Sequence, residues 1–474
     1  MRKVPNLVLA PGESEARLHG LAAAALGVPA ESITELRILK KSLDARRKGA
    51  VRWTYTVGVR LPGDADEPEE DYTIPRAEPP AVRPVVVGFG PAGMFAALVL
   101  AKAGAAPIVL ERGPDAETRK RTIEAFRAGG PLDPECNVQF GEGGAGTFSD
   151  GKLNTGTHDF RIGWVLRQFA AHGAPESILW DAKPHIGTDI LVDVVQSIRN
   201  DVIASGGEVR FCHRLTGLDI RDGVLCGARV SAPAGEYRLP CDRLILAAGH
   251  SARDTFEMLL ETGVPMAPKP FSMGVRIEHL QADIDRAQYG ESIPGLPPAD
   301  YALAVHLPDG ASAYTFCMCP GGEVFAAASE TGGVVTNGMS YHARSGENAN
   351  SAVLVTLRPS DFPDSGPLGG MHWQREIEKA AFSYGGGNYN APAQLAGDFL
   401  RNRASTGPRG VLPTYRPGVR WGDLRAVLPE TITGVLARAL PEFGKKLRGF
   451  DSPDAVLTAP ETRSSSPVRI LRGD

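Results

Sequence analysis

Residues 85–100 read VVVGFGPAGMFAALVL, a stretch that strongly restricts what the chain around it can become. Three branched residues favour a strand, Gly88, Gly90 and Gly93 follow in the pattern G-x-G-x-x-G, and an apolar helical stretch comes next. In that order, strand, glycine turn and helix N-terminus make a seat for a pyrophosphate, because the first helical amides have no partners within the helix. PIVLERG supplies a second strand that closes a β-α-β unit. Its Glu111 stands about twenty residues on, where a carboxylate can take two hydrogen bonds from a ribose diol. An acid there disfavours a 2′-phosphate, so NADP is not expected in this site.

The rest of the chain arranges itself around that unit. Residues 1–62 read as a small α+β domain. In it, Ser14 is placed to cap the helix EARLHGLAAAALG, and VRWTYTVGVRL alternates Val51, Trp53, Tyr55, Val57, Val59 and Leu61 on one face. ITELRILKK is the expected partner strand, and the basic run Lys40, Lys41, Arg46, Arg47 and Lys48 reads as a solvated hairpin. Residues 63–83 are acidic, then proline-rich, and read as a linker. Residues 84–264 carry the glycine turn, a helix with Thr188 as expected N-cap, the strand EVRFCHRL, a β-meander with turns at Asp222-Gly223 and Ala234-Gly235, and the strand-turn-helix DRLILAAGHSARDTFEML. Residues 265–440 are strand-rich and then helical, as in an inserted cap. Residues 441–474 are expected to return to the first α/β domain. The fold class is therefore α/β: a Rossmann-like domain with a β-meander, an α+β cap and a small N-terminal α+β domain.

Composition narrows the class of function. A formal net charge of -4 on 474 residues gives no basic excess for a nucleic acid or an anionic membrane. No apolar run reaches the roughly 18 residues needed to cross a bilayer. Six scattered cysteines without a Cys-x-x-Cys suit a reduced, cytoplasmic protein. The choice between NAD and FAD turns on the excursion after Arg112, which passes through VQFGEGGAGTFSDGKLNTG. Gly143, Gly144, Ala145 and Gly146 let backbone approach a ligand closely, and Thr147, Ser149, Asp150 and Lys152 add polar groups. A larger cofactor needs such an enclosure, so FAD is the better reading.

These segments together with ILKKSLDARRK, PHIGTDIL, LAAGHSARDTFEML, KPFSMGVRIEH, TFCMCPGGEV, TNGMSYHARSGENANSA and ETRSSSPVRI resemble the bacterial family of uncharacterised FAD-dependent dehydrogenases. That family lies within the glutathione-reductase-like superfamily of flavoproteins with two dinucleotide-binding domains. The resemblance implies that Gly88, Gly90, Pro91, Ala92 and Gly93 hold the pyrophosphate, with Glu111 and Arg112 at the adenosine. It sets Gly144, Ala145, Gly146, Thr147, Ser149, Asp150, Gly151 and Lys152 along the pyrophosphate and flavin, Arg214 and Leu215 at adenine, and Ala248 and Gly249 at a second turn. It also implies a further strand, glycine turn and flavin-facing helix beyond SSSPVRI, which this sequence does not contain.

The expected activity is hydride or electron exchange between flavin and a small-molecule substrate bound in the cap, with NAD(P)H open as a transient reductant. Arg276, His250 and Arg463 are the candidate catalytic residues; Arg276 shares a strand face with Glu278, and Glu461 is placed to orient Arg463. Cys317 and Cys319 alternate along a strand, either as a metal or redox pair or, more plainly, as buried small hydrophobes. No cysteine pair lies beside the cofactor loop in sequence, which speaks against thiol–disulfide chemistry. Two rivals stand beside this reading: a flavoprotein that modifies tRNA, and a non-catalytic scaffold that keeps the fold.

Overall fold

A computed structural model describes residues 1–65, 72–290 and 294–473. Three sheets dominate. The first is antiparallel, in the order Arg2–Leu9, Arg52–Arg60, Glu35–Asp44, and the helix Arg17–Leu26 covers it. The central strand owes its place to the alternation read in the sequence: Tyr55, Val57 and Val59 are buried. The opening strand was not legible, because a register shift between Val4 and Leu7 breaks its period of two. Ser14 does not cap the helix. Its hydroxyl accepts the Ala16 amide at 3.2 Å, and the helix starts three residues later with no side-chain cap.

The second sheet is wholly parallel, in the order Leu244–Leu246, Val85–Val87, Ile108–Leu110, Glu208–Arg210. Its two faces bury different partners. Val86 and Val109 pack under the helices Pro91–Lys102 and Thr188–Ala204, through Ala97, Leu98, Val194 and Ile198. Val85, Val87, Ile108 and Leu110 face the meander Arg214–Arg221, Val224–Ala232, Gly235–Pro240 through Leu215, Ala228 and Val230. Each such fully buried aliphatic contributes about 1.5–3 kcal/mol. Thr188 is the first residue of its helix rather than the cap; Gly187 precedes it, and the threonine hydroxyl donates to Thr147 O at 2.7 Å.

The third sheet has seven strands in the order Ala304–His306, Ser312–Cys319, Asn348–Leu357, Phe271–Leu280, Val456–Glu461, Ala391–Leu395, Val419–Trp421. Helices Gly369–Gly385 and Glu430–Lys446 pack on it. The strand Phe271–Leu280 is buried at every position but its last, so it shows no alternation in the sequence. The expected boundary at 440 falls inside the helix Glu430–Lys446, and Val456–Glu461 is an interior strand of this sheet. Residues 441–461 therefore run with the helix and strand packed in this sheet, and Val468–Ile470 pairs apart from it with Met266–Pro268. Part of the expected linker, residues 66–71, lies outside the described residues. From Tyr72 the chain is docked: Tyr72 and Ile74 pack on the helices of the parallel sheet, and Ala77 N donates to Ala103 O at 2.8 Å.

Candidate functional site

The glycine turn is shaped by backbone contacts that a side chain would forbid. A Cβ on Gly93 would lie 1.9 Å from Gly88 O, so this glycine holds the helix against the turn rather than facing a ligand. The helix Pro91–Lys102 begins after Gly90 with Pro91 in its first turn and no side-chain cap. Its N-terminal amides and partial positive charge are thus left facing outward.

A second segment closes on this turn. Gly143 N donates to Phe89 O at 2.9 Å. Gly144 has φ +59, and a Cβ there would sit 2.8 Å from Gly90 Cα. The approach is held by Arg119, whose fully buried guanidinium donates to Asn137 O (2.8 Å), Val138 O (2.7 Å) and Glu142 O (2.7 Å). Glu142 in turn accepts Ala116 N at 2.8 Å and Arg199 Nη1 at 3.0 Å. Sequence reasoning missed Arg119. The available signal was a charge inside the apolar stripe Ala116, Ile123, Phe126 of the helix Ala116–Arg127.

Between turn and loop opens a cavity of about 370 Å³. Gly88, Gly90, Pro91, Ala92, Glu111, Arg112, Gly144, Ala145, Gly146, Arg214, Leu215, Ala248, Gly249 and His250 all line it, from segments spread over 160 residues of sequence. At one end Arg112 lies over the Phe140 ring at 4.0 Å and pairs with Glu135 (2.8 Å) and Asp254 (2.9 Å); Arg214 joins Glu135 at 2.9 Å. His250 is half-buried there. Desolvation, with Arg463 and Arg253 nearby, pushes its imidazole down to about 4, so the ring is neutral at physiological pH.

Several expected site residues do other work. The Glu111 carboxylate is buried and accepts three backbone amides, Phe89 N (2.8 Å), Gly113 N (3.0 Å) and Gly141 N (2.9 Å), so it ties the turn to the loop. Thr147, Ser149, Asp150, Gly151 and Lys152 do not line the cavity: Thr147 Oγ1 donates to Glu142 O, Ser149 Oγ to Gly146 O, and Lys152 Nζ to Met318 O. Asp150 pairs with Arg344 at 2.6 Å and with Lys152 at 3.3 Å. Arg276 is fully buried in the cap sheet and pairs with Glu461 at 3.2 Å. Glu461 therefore orients Arg276 and not Arg463, whose guanidinium grips Glu378 at 2.8 Å. Glu278, on the same strand as Arg276, is held instead by Thr414 Oγ1 at 2.6 Å and Asn348 Nδ2 at 3.1 Å. Among the described residues no cluster of His, Cys, Asp and Glu is set to hold a metal ion, and no helix is long and apolar enough to cross a membrane.

Comparison with known proteins follows the same division of the chain. Residues 270–464 match the family described as "FAD-dependent protein, C-terminal domain-like", and residues 1–60 match a domain of unknown function, DUF8436. A protein of Clostridium beijerinckii, itself described as uncharacterized, is 46% identical over 466 residues, covering 94% of this chain and 86% of its own length. The chain belongs to that protein's family. Among solved structures it is similar to the flavin-dependent brominase Bmp2 (14% identity, TM-score 0.31, 61% of each chain). Others are the flavin-dependent monooxygenase PieE in complex with FAD and substrate (17%, 0.29, 60% of this chain and 44% of that one) and OxyS anhydrotetracycline hydroxylase from Streptomyces rimosus (17%, 0.26, 59% and 47%). The chain spans less than two thirds of the length of these three solved proteins.

Proposed function

We propose that this chain is an FAD-dependent oxidoreductase acting on a small molecule. One observation carries the reading: the turn at Gly88–Gly90 and the loop at Gly144–Gly146 form two walls of a single cavity, with an uncapped helix N-terminus on its rim. That is a cradle for a pyrophosphate, and a Cβ at Gly144 would close it against Gly90. The name of the family matched over residues 270–464 supports the same cofactor. In this reading Gly88, Gly90, Pro91, Ala92 and Gly144–Gly146 hold the pyrophosphate, and Arg112, Phe140, Arg214 and Leu215 enclose the adenosine. Ala248, Gly249 and His250 border the flavin half. When bound, the flavin supplies transfer of hydride or single electrons. The chain's part is to bind, orient and keep water out; neutral His250 can hold one hydrogen bond without adding charge. The reaction is read as a dehydrogenation, in which the substrate gives up two electrons and two protons; NAD(P)H as a transient reductant belongs to the opposite direction, in which a substrate is reduced.

The test uses Gly90, whose φ of -74° suits any residue. A Cβ there would lie 3.7 Å from Gly144 Cα, an ordinary contact, so Gly90→Val is expected to keep the fold, checked by circular dichroism, while its branched side chain crowds the cradle. The wild-type chain is expected to bind added FAD with a flavin visible spectrum, and Gly90→Val to bind at least about tenfold more weakly, about 1.4 kcal/mol. A wild-type protein that stays colourless with excess FAD overturns the proposal.

A further inference from the structure

The strand Ser312–Cys319 ends in Cys317-Met318-Cys319, which sequence alone left as either a reactive pair or two small core residues. In a regular strand, alternate residues share a face but stand roughly 6.6 Å apart, at the edge of what a disulfide spans. This strand is not regular there. Its register against Asn348–Leu357 shifts between Phe316 and Cys319, and Cys317 has φ +44. The bulge brings the pair together: Cys319 Sγ donates to Cys317 O at 3.3 Å.

Two cations attend the same peptide. Lys152, at the end of the cofactor loop and 166 residues away in sequence, donates to Met318 O, and Arg276 Nη1 donates to Cys317 O at 2.9 Å. Their own counterions, Asp150 and Glu461, are shared with Arg344 and Thr336. Lys152 and Arg276 therefore favour one negative charge on the pair. The neighbouring Cys319, with Lys152 and Arg276, pulls the Cys317 thiol down to about 5, while Cys319 itself is pushed well up. Cys317 is half-buried beside the exposed Phe316, and Cys319 is fully buried.

We propose that Cys317 and Cys319 are a redox-active dithiol that reduces small-molecule disulfides, with Cys317 attacking and Cys319 resolving. The Cys317 thiolate attacks a disulfide RSSR, forms Cys317–S–SR and expels RS⁻, which takes a proton from water to replace the one Cys317 lost on ionising. Cys319 Sγ then attacks Cys317 Sγ, the second RS⁻ leaves with the Cys319 proton, and the chain holds a Cys317–Cys319 disulfide. The disulfide substrate gains two electrons and two protons; the dithiol loses them.

The test needs no flavin, so its outcome is separate from that of the FAD reading. The full-length protein is equilibrated in buffers of reduced and oxidised glutathione, acid-quenched, alkylated, digested and weighed. The peptide containing both cysteines is expected to convert reversibly to the internal disulfide, and Cys319→Ser to trap a mixed disulfide of glutathione at Cys317. Iodoacetamide at pH 6 is expected to label Cys317 at least about tenfold faster than Cys136, Cys212 and Cys241, because the gain in thiolate fraction exceeds the loss of nucleophilicity at low pKa. Lys152→Met, with circular dichroism unchanged, is expected to slow that labelling at pH 6. Two free thiols at every glutathione ratio, or labelling of Cys317 no faster than of the other three, overturns the proposal.

Discussion

Glu111 lines the cavity and its carboxylate also fastens the turn to the loop. With three buried amides on its carboxylate, Glu111→Ala is expected to cost several kcal/mol of folding stability, at about 1–3 kcal/mol for each donor left unpaired. A urea melt measures it, and lost flavin in that variant would report a broken turn as much as a lost ribose contact. Arg119→Lys is expected to destabilise comparably, since an ammonium presents three donors at one point where a planar fork reaches carbonyls on both sides. Glu461 gives a pH signature. Burial raises it to about 7 against the opposing pull of Arg276, so the folded state holds a proton that the unfolded state releases near pH 4.5. The stabilisation is full below about pH 4.5 and is lost as pH rises through about 7. In Glu461→Gln the slope of stability between pH 5 and 7 is expected to lose a component of up to about 1.4 kcal/mol per pH unit, measured by denaturant midpoints.

At the scale of elements, the helix Arg253–Glu261 meets the helix Gly369–Gly385 through apolar packing of Leu259 with Met371 and through ion pairs centred on Glu378. Glu378, on the helix Gly369–Gly385, takes both nitrogens of Arg253 at 2.8 Å and a second fork from Arg463, with Thr462 Oγ1 at 2.6 Å. Glu378→Ala is expected to cost about 3–5 kcal/mol because it leaves two buried guanidinium groups short of charge. Glu330 still reaches Arg253, which keeps the loss below that of a wholly orphaned pair. Elements with a clean period were readable from sequence: the strand Arg52–Arg60, the helix Thr188–Ala204 through Leu191, Val194, Val195 and Ile198, and the β-α-β unit at Val85. Arg2–Leu9 was not: it is bulged and carries no alternation, whereas Phe271–Leu280, though buried on both faces, was legible as a strand around Arg276 and Glu278. The same division holds at the candidate site. Glycine turns announce themselves locally, whereas the ion pairs of Arg276 and Arg463 and the hydrogen bond of Lys152 to Met318 O join residues 85 to 185 positions apart, which no local pattern encodes.

Across the whole molecule, the N-terminal unit joins the rest by backbone as well as side chains. Lys41 N donates to Trp180 O and Lys41 O accepts Ala182 N, both at 2.8 Å, on the edge of Glu35–Asp44 that faces away from Arg52–Arg60. Lys41→Pro removes the outward donor together with the ion pair to Glu15 and the contact over Trp53, and Lys41→Ala removes the side chain alone; the Ala182 amide is expected to exchange faster with deuterium in the proline variant than in the alanine one. The loop that floors the cavity is suspended in a similar way. Its glycines face inward, but Thr147, Asp150 and Lys152 are moored outward to Thr188, Arg344 and the carbonyl between the paired cysteines. Floor and cap sheet are thus rigged together like a deck and its stays. A shift of the floor would therefore be handed to the strand Ser312–Cys319 through one lysine and one carbonyl.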